Sequence, residues 1–337
     1  MRGIAALVVL GFHALHLSQA TNGVGLSRGY LAVDFFFFLS GFVLAHVYGR
    51  SLDERPSRRQ LVQFLWARVA RIYPVHLCAL ALLLPFYNSS PEFSGRALLI
   101  NLVLGQGPWL GYLNWNIPSW SISAEFYAYL LFPVVVHSLL RKRSVALPAG
   151  IAAALALAVI VIKHGNADIS YGPLVLTRCL PEFLLGVITY RLFASGWARE
   201  VLRRDSTFLL MVAAIIAVSE LHGTDAAIIG FFPFLILAGA HNEARTRHIL
   251  GSTTLQYLGR ISYSIYMVQM VPVMWLIHES QAVNALGWPV SLTMVVFFCI
   301  PTLWLGAAVS YCIEYPARAF LRSLGEGRRA ASLPGTS

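Results

Sequence analysis

An all-α, polytopic bundle of membrane-spanning helices is predicted by three properties of the 337-residue sequence. Hydrophobic residues make up 57% of it against 12% charged, and its mean hydropathy is +0.66, far more apolar than a soluble domain. Apolar stretches about as long as a bilayer is thick recur along the whole chain. Basic clusters alternate with them. The stretches run over approximately 3–20, 30–49, 72–87, 119–139, 145–163, 173–193, 208–221, 226–240, 259–280 and 289–313. That predicts about ten helices of roughly 20 residues each, with 208–221 and 226–240 the shortest.

Orientation follows from the basic residues. With a cytoplasmic N-terminus, all of the 25 lysines and arginines except Arg28, Arg96, Lys163 and Arg178 fall on the inner side, as the positive-inside rule requires. Both termini are therefore expected in the cytoplasm. Residues 1–322 read as one transmembrane domain, and 323–337, rich in Gly, Arg and Ser, as a disordered tail. The net charge of +10 is mostly this topology and implies no nucleic-acid partner. Cys78, Cys179, Cys299 and Cys312 sit in or beside apolar spans without metal-ligand spacing. They read as small buried hydrophobes, and no metal is expected.

The first span, from Met1, carries Arg2 and His13. At 100° per residue their spacing returns His13 to within about 20° of Arg2, about 16 Å further along one face. With Arg2 at the inner surface, His13 lies near mid-membrane, either as a functional group or bonded to a neighbouring helix as packing glue. Asp34 opens the second span, about one turn below the outer surface. It either orients the His13 imidazole or caps its own helix. A basic run follows, from Arg50 to Arg59, and then Arg68 and Arg71 at i and i+3. Such a cluster suits a polyphosphorylated ligand or anionic lipid headgroups.

The stretch from Asn88 to Pro118 reads as the long extracytoplasmic loop, rich in glycine and in aromatics such as Trp109, Tyr112 and Trp115. Its composition fits a sugar-binding surface or an interfacial aromatic belt. Ser121, Glu125 and Tyr129 then recur at i, i+4 and i+8, a polar stripe near the outer end of the fourth span. The fifth span is plain Ala, Leu and Val. The sixth holds Arg178 and Glu182 at i and i+4, a spacing that lets them neutralise one another. Spans seven and eight carry little chemistry. The ninth, from Tyr257 to Gln269, has an edge of hydroxyls, and the tenth ends at Glu314-Tyr315-Pro316.

Taken together the segments resemble the bacterial acyltransferase-3 family of integral membrane acyltransferases. The likeness covers nearly the whole chain and rests on seven features in order. They are the Arg2-to-His13 spacing, Val33-Asp34-Phe35-Phe36 with Leu39-Ser40-Gly41-Phe42, Arg68 and Arg71 before Tyr73-Pro74, and Pro118-Ser119-Trp120-Ser121 with Glu125. Arg178 to Gly186, Leu258 to Ser264 and Glu314-Tyr315-Pro316 complete the set. The resemblance implies an acyl-CoA donor, usually acetyl-CoA, used as co-substrate from the cytoplasm with no permanently bound cofactor. It implies a hydroxylated acceptor such as a surface polysaccharide, and residence in the bacterial plasma membrane among its lipids. Arg2, His13, Arg68, Arg71 and Glu125 match the positions that the family uses. Two departures stand out. Members usually carry several residues ahead of the first arginine, so the natural start is expected upstream of Met1, and Gln269 stands where many members have a histidine.

Acyl transfer to a hydroxyl needs a base, a stabilised oxyanion and a held thioester. Arg2, Arg68 and Arg71 are expected to hold the CoA phosphates, and His13 to be the base or the site of a covalent acyl group. Asp34 or Glu125 would orient His13, and Arg178 or a Ser121 or Tyr129 hydroxyl would polarise the carbonyl. Glu125 is expected at the acceptor end of the path. The rival classes are a lipid-linked or small-molecule acceptor for the same chemistry, and a transporter whose path these charges line.

Overall fold

A computed structural model describes residues 1–18, 26–52, 56–86, 91–221 and 223–330, the side chains of 91 and 324–330 excepted. No strand occurs among the described residues. A helix stands on each of the apolar stretches of the sequence. Five helical segments are by themselves long and apolar enough to cross a membrane, and a bent pair makes up to six. Shorter apolar helices stand at Arg2–Leu17 and Asp225–His241.

Helix α1 (Arg2–Leu17) leads through a 3₁₀ turn at Gly29–Leu31 into α2 (Ala32–Tyr48). Helix α3 (Arg58–Leu83) starts well before the predicted residue 72, because Ser57 and Gln60 cap it reciprocally. Arg68 and Arg71 therefore stand inside a helix. Arg55 lies outside the described residues.

The stretch predicted as an open loop is folded inward instead. Helices α4 (Gly95–Leu102) and α5 (Gln106–Trp109) carry it down into the bundle, where Asn101, Gln106, Asn116 and Ser119 are buried. Each finds partners, as buried polar groups must. Asn101 donates to the Ala97 carbonyl at 2.8 Å and to Asn114 at 2.5 Å, Gln106 to the Ser119 carbonyl at 2.9 Å, and Asn116 to the Met267 carbonyl at 2.9 Å. Leu104 and Trp115 sit there at φ 56° and 21°, conformations that cost of order 1–3 kcal/mol each and persist only where packing fixes them. Trp115, 1% exposed, is core rather than a sugar platform.

Helix α6 (Trp120–Arg141) consequently begins within the bundle, followed by α7 (Arg143–His164) and α8 (Leu174–Ala194). The parallel helices α2 and α8 make the closest packing in the molecule, backbone against backbone. A Cβ on Gly41 would stand 2.0 Å from the Phe183 carbonyl oxygen, and one on Gly186 2.1 Å from that of Phe38. Gly41→Ala must push the two helices apart. The expected loss is about 1–3 kcal/mol or more, read as a lower melting temperature of the protein in detergent.

Short α9 (Arg199–Leu202) precedes α10 (Asp205–Glu220) and α11 (Asp225–His241). The only buried residue described in α10 is Ser219. The helix packs mainly on α11 and also touches α9 and α12. Asp225, at the start of α11, accepts hydrogen bonds from Arg28 and Tyr30 at 2.6 Å each and from the Ala167 amide at 2.7 Å, tying three segments together.

After α12 (Arg245–Leu250), helices α13 (Thr253–Val268) and α14 (Met270–His278) are bent by 41° at Gln269. Short α15 (Ser280–Asn284) leads to α16 (Val290–Met294), α17 (Ile300–Val309) and α18 (Tyr315–Ala330), joined by π-helical turns at Val295–Cys299 and Ser310–Glu314. Helix α18 continues past Ser323, where the sequence predicts disorder to begin, and 331–337 lie outside the described residues. Helix α1 runs along α13 with Gly3 against Leu258 and Gly259. That contact sets the register that brings His13 to Gln269.

Candidate active site

His13 opens onto a cavity of about 280 Å³ whose wall also includes Tyr30, Asp168, Arg178, Tyr266 and Gln269. Its Nδ1 lies 3.0 Å from the Gln269 amide oxygen. An amide oxygen only accepts, so Nδ1 carries the ring proton and Nε2 the lone pair. The imidazole is thus set as a base. Gln269 can reach it because it sits at the break between α13 and α14, and Asn116 takes up the neighbouring Met267 carbonyl. Sequence reasoning assigned this orienting role to Asp34 or Glu125 and left Gln269 out. Gln269→Ala is expected to lower kcat by about tenfold with KM little changed, since positioning of the base is lost while the base remains.

Asp34 is not with His13. Its two carboxylate oxygens face the Arg178 guanidinium, with Nε at 2.7 Å and Nη2 at 2.6 Å, a bidentate pair. Arg178 also donates to the Ile169 carbonyl at 3.0 Å and lies 5.0 Å over the Trp120 ring. The pair is 1% and 0% exposed. The predicted partnership of Arg178 with Glu182 gives way to it, since a fork needs two acceptors in one plane and Asp34 on α2 supplies them. Glu182 remains fully buried beside Asp34. Arg178 also lines the His13 cavity.

Glu125 lines a second, smaller cavity together with Arg2, Ser121, Ser262, Tyr263 and Tyr266. It accepts hydrogen bonds from Ser40, in the middle of α2, and from Tyr129 at 2.6 Å. The structure thus sets Glu125 beside Arg2 rather than beside His13. Because the segment before α6 folds inward, the first turns of α6 lie deep, and Glu125 meets the beginning of α1 instead. Ser121 bonds Tyr266 at 2.9 Å rather than Glu125. Tyr129 carries the network onward, with the Arg68 guanidinium 5.7 Å over its ring.

Arg68 also donates to the Tyr48 hydroxyl at 2.9 Å. Arg71, its predicted twin, is engaged differently, by an ion pair with the fully buried Glu314. Glu314 takes further hydrogen bonds from Ser264 at 2.8 Å and Ser310 at 3.2 Å, and the π-helical turn places Ser310 and Glu314 to do so. Arg318 stands within electrostatic reach of Arg68, Arg71 and Arg322, its Nε without a protein partner. The sequence pattern of Arg68 and Arg71 contained no sign of Arg318, which a helix folded back from the other end of the chain delivers. No group of side chains that could hold a metal ion occurs among the described residues.

Residues 1–311 match a family described as an acyltransferase domain. The acyltransferase MdmB of Streptomyces mycarofaciens is 29% identical over 99% of this chain and 93% of its own. The O-acetyltransferase OatA of Staphylococcus aureus is 25% identical over 79% of this chain and 49% of its own. Protein 2 in the picA locus of Rhizobium radiobacter is 45% identical over 26% of this chain and 42% of its own. The chain thus spans less than half the length of the last two. No solved structure matches it. With its helices and the match over nearly its whole length, the chain is a membrane protein that belongs to the acyltransferase-3 family.

Proposed function

We propose that the protein moves an acyl group, in the first instance acetyl, from cytoplasmic acyl-CoA to a hydroxyl of a glycan, in surface or exopolysaccharide biosynthesis at the bacterial plasma membrane. The observation that carries this reading is the oriented His13 imidazole, its Nε2 lone pair free at a cavity that Arg178 also lines. The name O-acetyltransferase of the Staphylococcus relative supports the class of chemistry.

The proposed reaction runs across two chambers. Arg68, Arg318 and Arg2 hold the CoA phosphates near the end where α1 starts, and the pantetheine arm runs along α1. In the His13 cavity the acceptor hydroxyl gives its proton to Nε2 as its oxygen attacks the thioester carbonyl. Arg178 faces the oxyanion that forms, and Asp34 holds the guanidinium in place. The carbon–sulfur bond then breaks, and the imidazolium returns the proton to the CoA thiolate. Asp168, partly exposed on the cavity wall, is placed to accept from acceptor hydroxyls.

Membranes bearing the protein, incubated with [¹⁴C]acetyl-CoA, are expected to yield an alkali-labile label in the glycan fraction. No label with the wild-type protein would overturn the reading. Arg68→Ala is expected to raise the apparent KM for acetyl-CoA by about tenfold or more, since a charged hydrogen bond is worth roughly 1.5–3 kcal/mol. Arg71→Ala is expected to lose folded protein instead, because it leaves Glu314 buried and unpaired.

A further inference from the structure

A third cavity, of about 580 Å³, lies between the ends of α8 and α11 and shares no lining residue with the two above. Its size falls in the range of small-ligand sites, about 300–1,000 Å³. Arg199, His241, Asn242, Glu243 and Arg247 supply its polar wall. Glu243 is engaged by Arg199 at 2.6 Å and by Arg203 at 3.7 Å, so Arg247 is left with no described carboxylate. Its place is fixed all the same, because the Asn242 side-chain oxygen accepts from the Arg247 amide at 2.9 Å and from that of Ala244 at 3.0 Å. His241 is 7% exposed, with its ring 4.5 Å from that of Phe193, another wall residue. Its Nε2 is buried without a partner. A buried N–H with no acceptor is the rarer outcome, so the proton belongs on Nδ1. Nδ1 has no described hydrogen bond either, and it is the nitrogen left to donate into the cavity.

We propose that this cavity binds the headgroup of an anionic phospholipid, with its phosphate on the Arg247 guanidinium and the Nδ1–H of His241. A spare guanidinium and a spare neutral donor suit a phosphate, which takes several hydrogen bonds at once. The choice of a lipid follows from the surroundings. Trp197, Val201 and Phe234, near the cavity in the chain or against one another, are exposed apolar side chains, as residues at a bilayer surface are. The cavity stands where α11 ends, just past the apolar stretch 226–240, and basic pockets between the ends of membrane helices take such headgroups. A soluble phosphate ester offers the same anion but nothing for the apolar rim.

The test uses the purified full chain in detergent, with native mass spectrometry to count bound lipid and thermal unfolding to read its effect. Dioleoylphosphatidylglycerol is expected to stay bound and to raise the melting temperature, and dioleoylphosphatidylcholine to do neither. Arg247→Gln removes a charge from an exposed side chain, and His241→Phe keeps a ring against Phe193 while removing the donor. In each the affinity for phosphatidylglycerol is expected to fall about tenfold, the scale of one charged hydrogen bond. Arg204→Gln, an equal loss of charge outside the cavity wall, is expected to bind as wild type. Unchanged binding in folded Arg247→Gln, or an equal loss in Arg204→Gln, overturns the site. Glycerol 3-phosphate that binds as tightly as the lipid, and through Arg247, overturns the lipid and gives the cavity to a soluble phosphate ester.

Discussion

Replacing His13 with alanine is expected to lower acyl transfer by about 10²–10⁴, the contribution of a positioned general base, while the protein accumulates normally. The second half follows from the contacts. The ring is half-buried at a cavity wall, and its described hydrogen bond runs to Gln269 alone, so truncation leaves no buried charge and only one amide to find water in the cavity. Label transfer and size-exclusion chromatography of His13→Ala and Gln269→Ala side by side check it. Both variants should elute as wild type, with His13→Ala the slower by at least the factor that separates a lost base from a misplaced one. Full activity in His13→Ala would remove the imidazole from the reaction.

Asp34→Ala is expected to cost about 3–5 kcal/mol of stability, the penalty for stranding one partner of a buried ion pair. Arg178 would keep its charge at 1% exposure with the bidentate partner gone and the Ile169 carbonyl, the buried Glu182 and the more distant Asp168 left around it. The loss should be read as low abundance and a lowered melting temperature, not as a kinetic defect. The double variant Asp34→Leu with Arg178→Met fills similar volume without charge, and is expected to recover the folded protein yet remain inactive. That combination separates the two duties of the pair. A double variant that is folded and active would make Arg178 purely structural.

The helices were legible in the sequence because apolar runs of bilayer length admit no other backbone structure, and the glycine pair Gly41 and Gly186 lay within motifs already marked. His13, Arg178, Arg68 and Glu125 were marked as well, since a polar side chain in a membrane helix stands out against apolar neighbours. Their partners were less legible. Asp34 and Arg178 are far apart in the chain, and nothing local distinguishes a carboxylate that orients a histidine from one that grips a guanidinium. The neighbours of Glu125 were hidden because the segment before α6 has the glycines and aromatics of a surface loop. Its burial depends on asparagines whose partners come from elsewhere, as with Asn116 and the Met267 carbonyl. Gln269 stood out only as a departure from the family pattern, because an amide that neither titrates nor carries charge matters only through the atom it faces.

Helix α10, with Ser219 as the only buried residue described in it, answers to the bilayer more than to the protein. Any apolar side chain serves a position that touches only acyl tails, so exchanges among Leu, Ile, Val and Met along its outer faces should be silent. Among relatives this helix is expected to vary more than α2 or α8, with a composition that follows the thickness and fluidity of the host membrane. Lineages can retune that one helix to a new lipid without disturbing the chemistry two helices away.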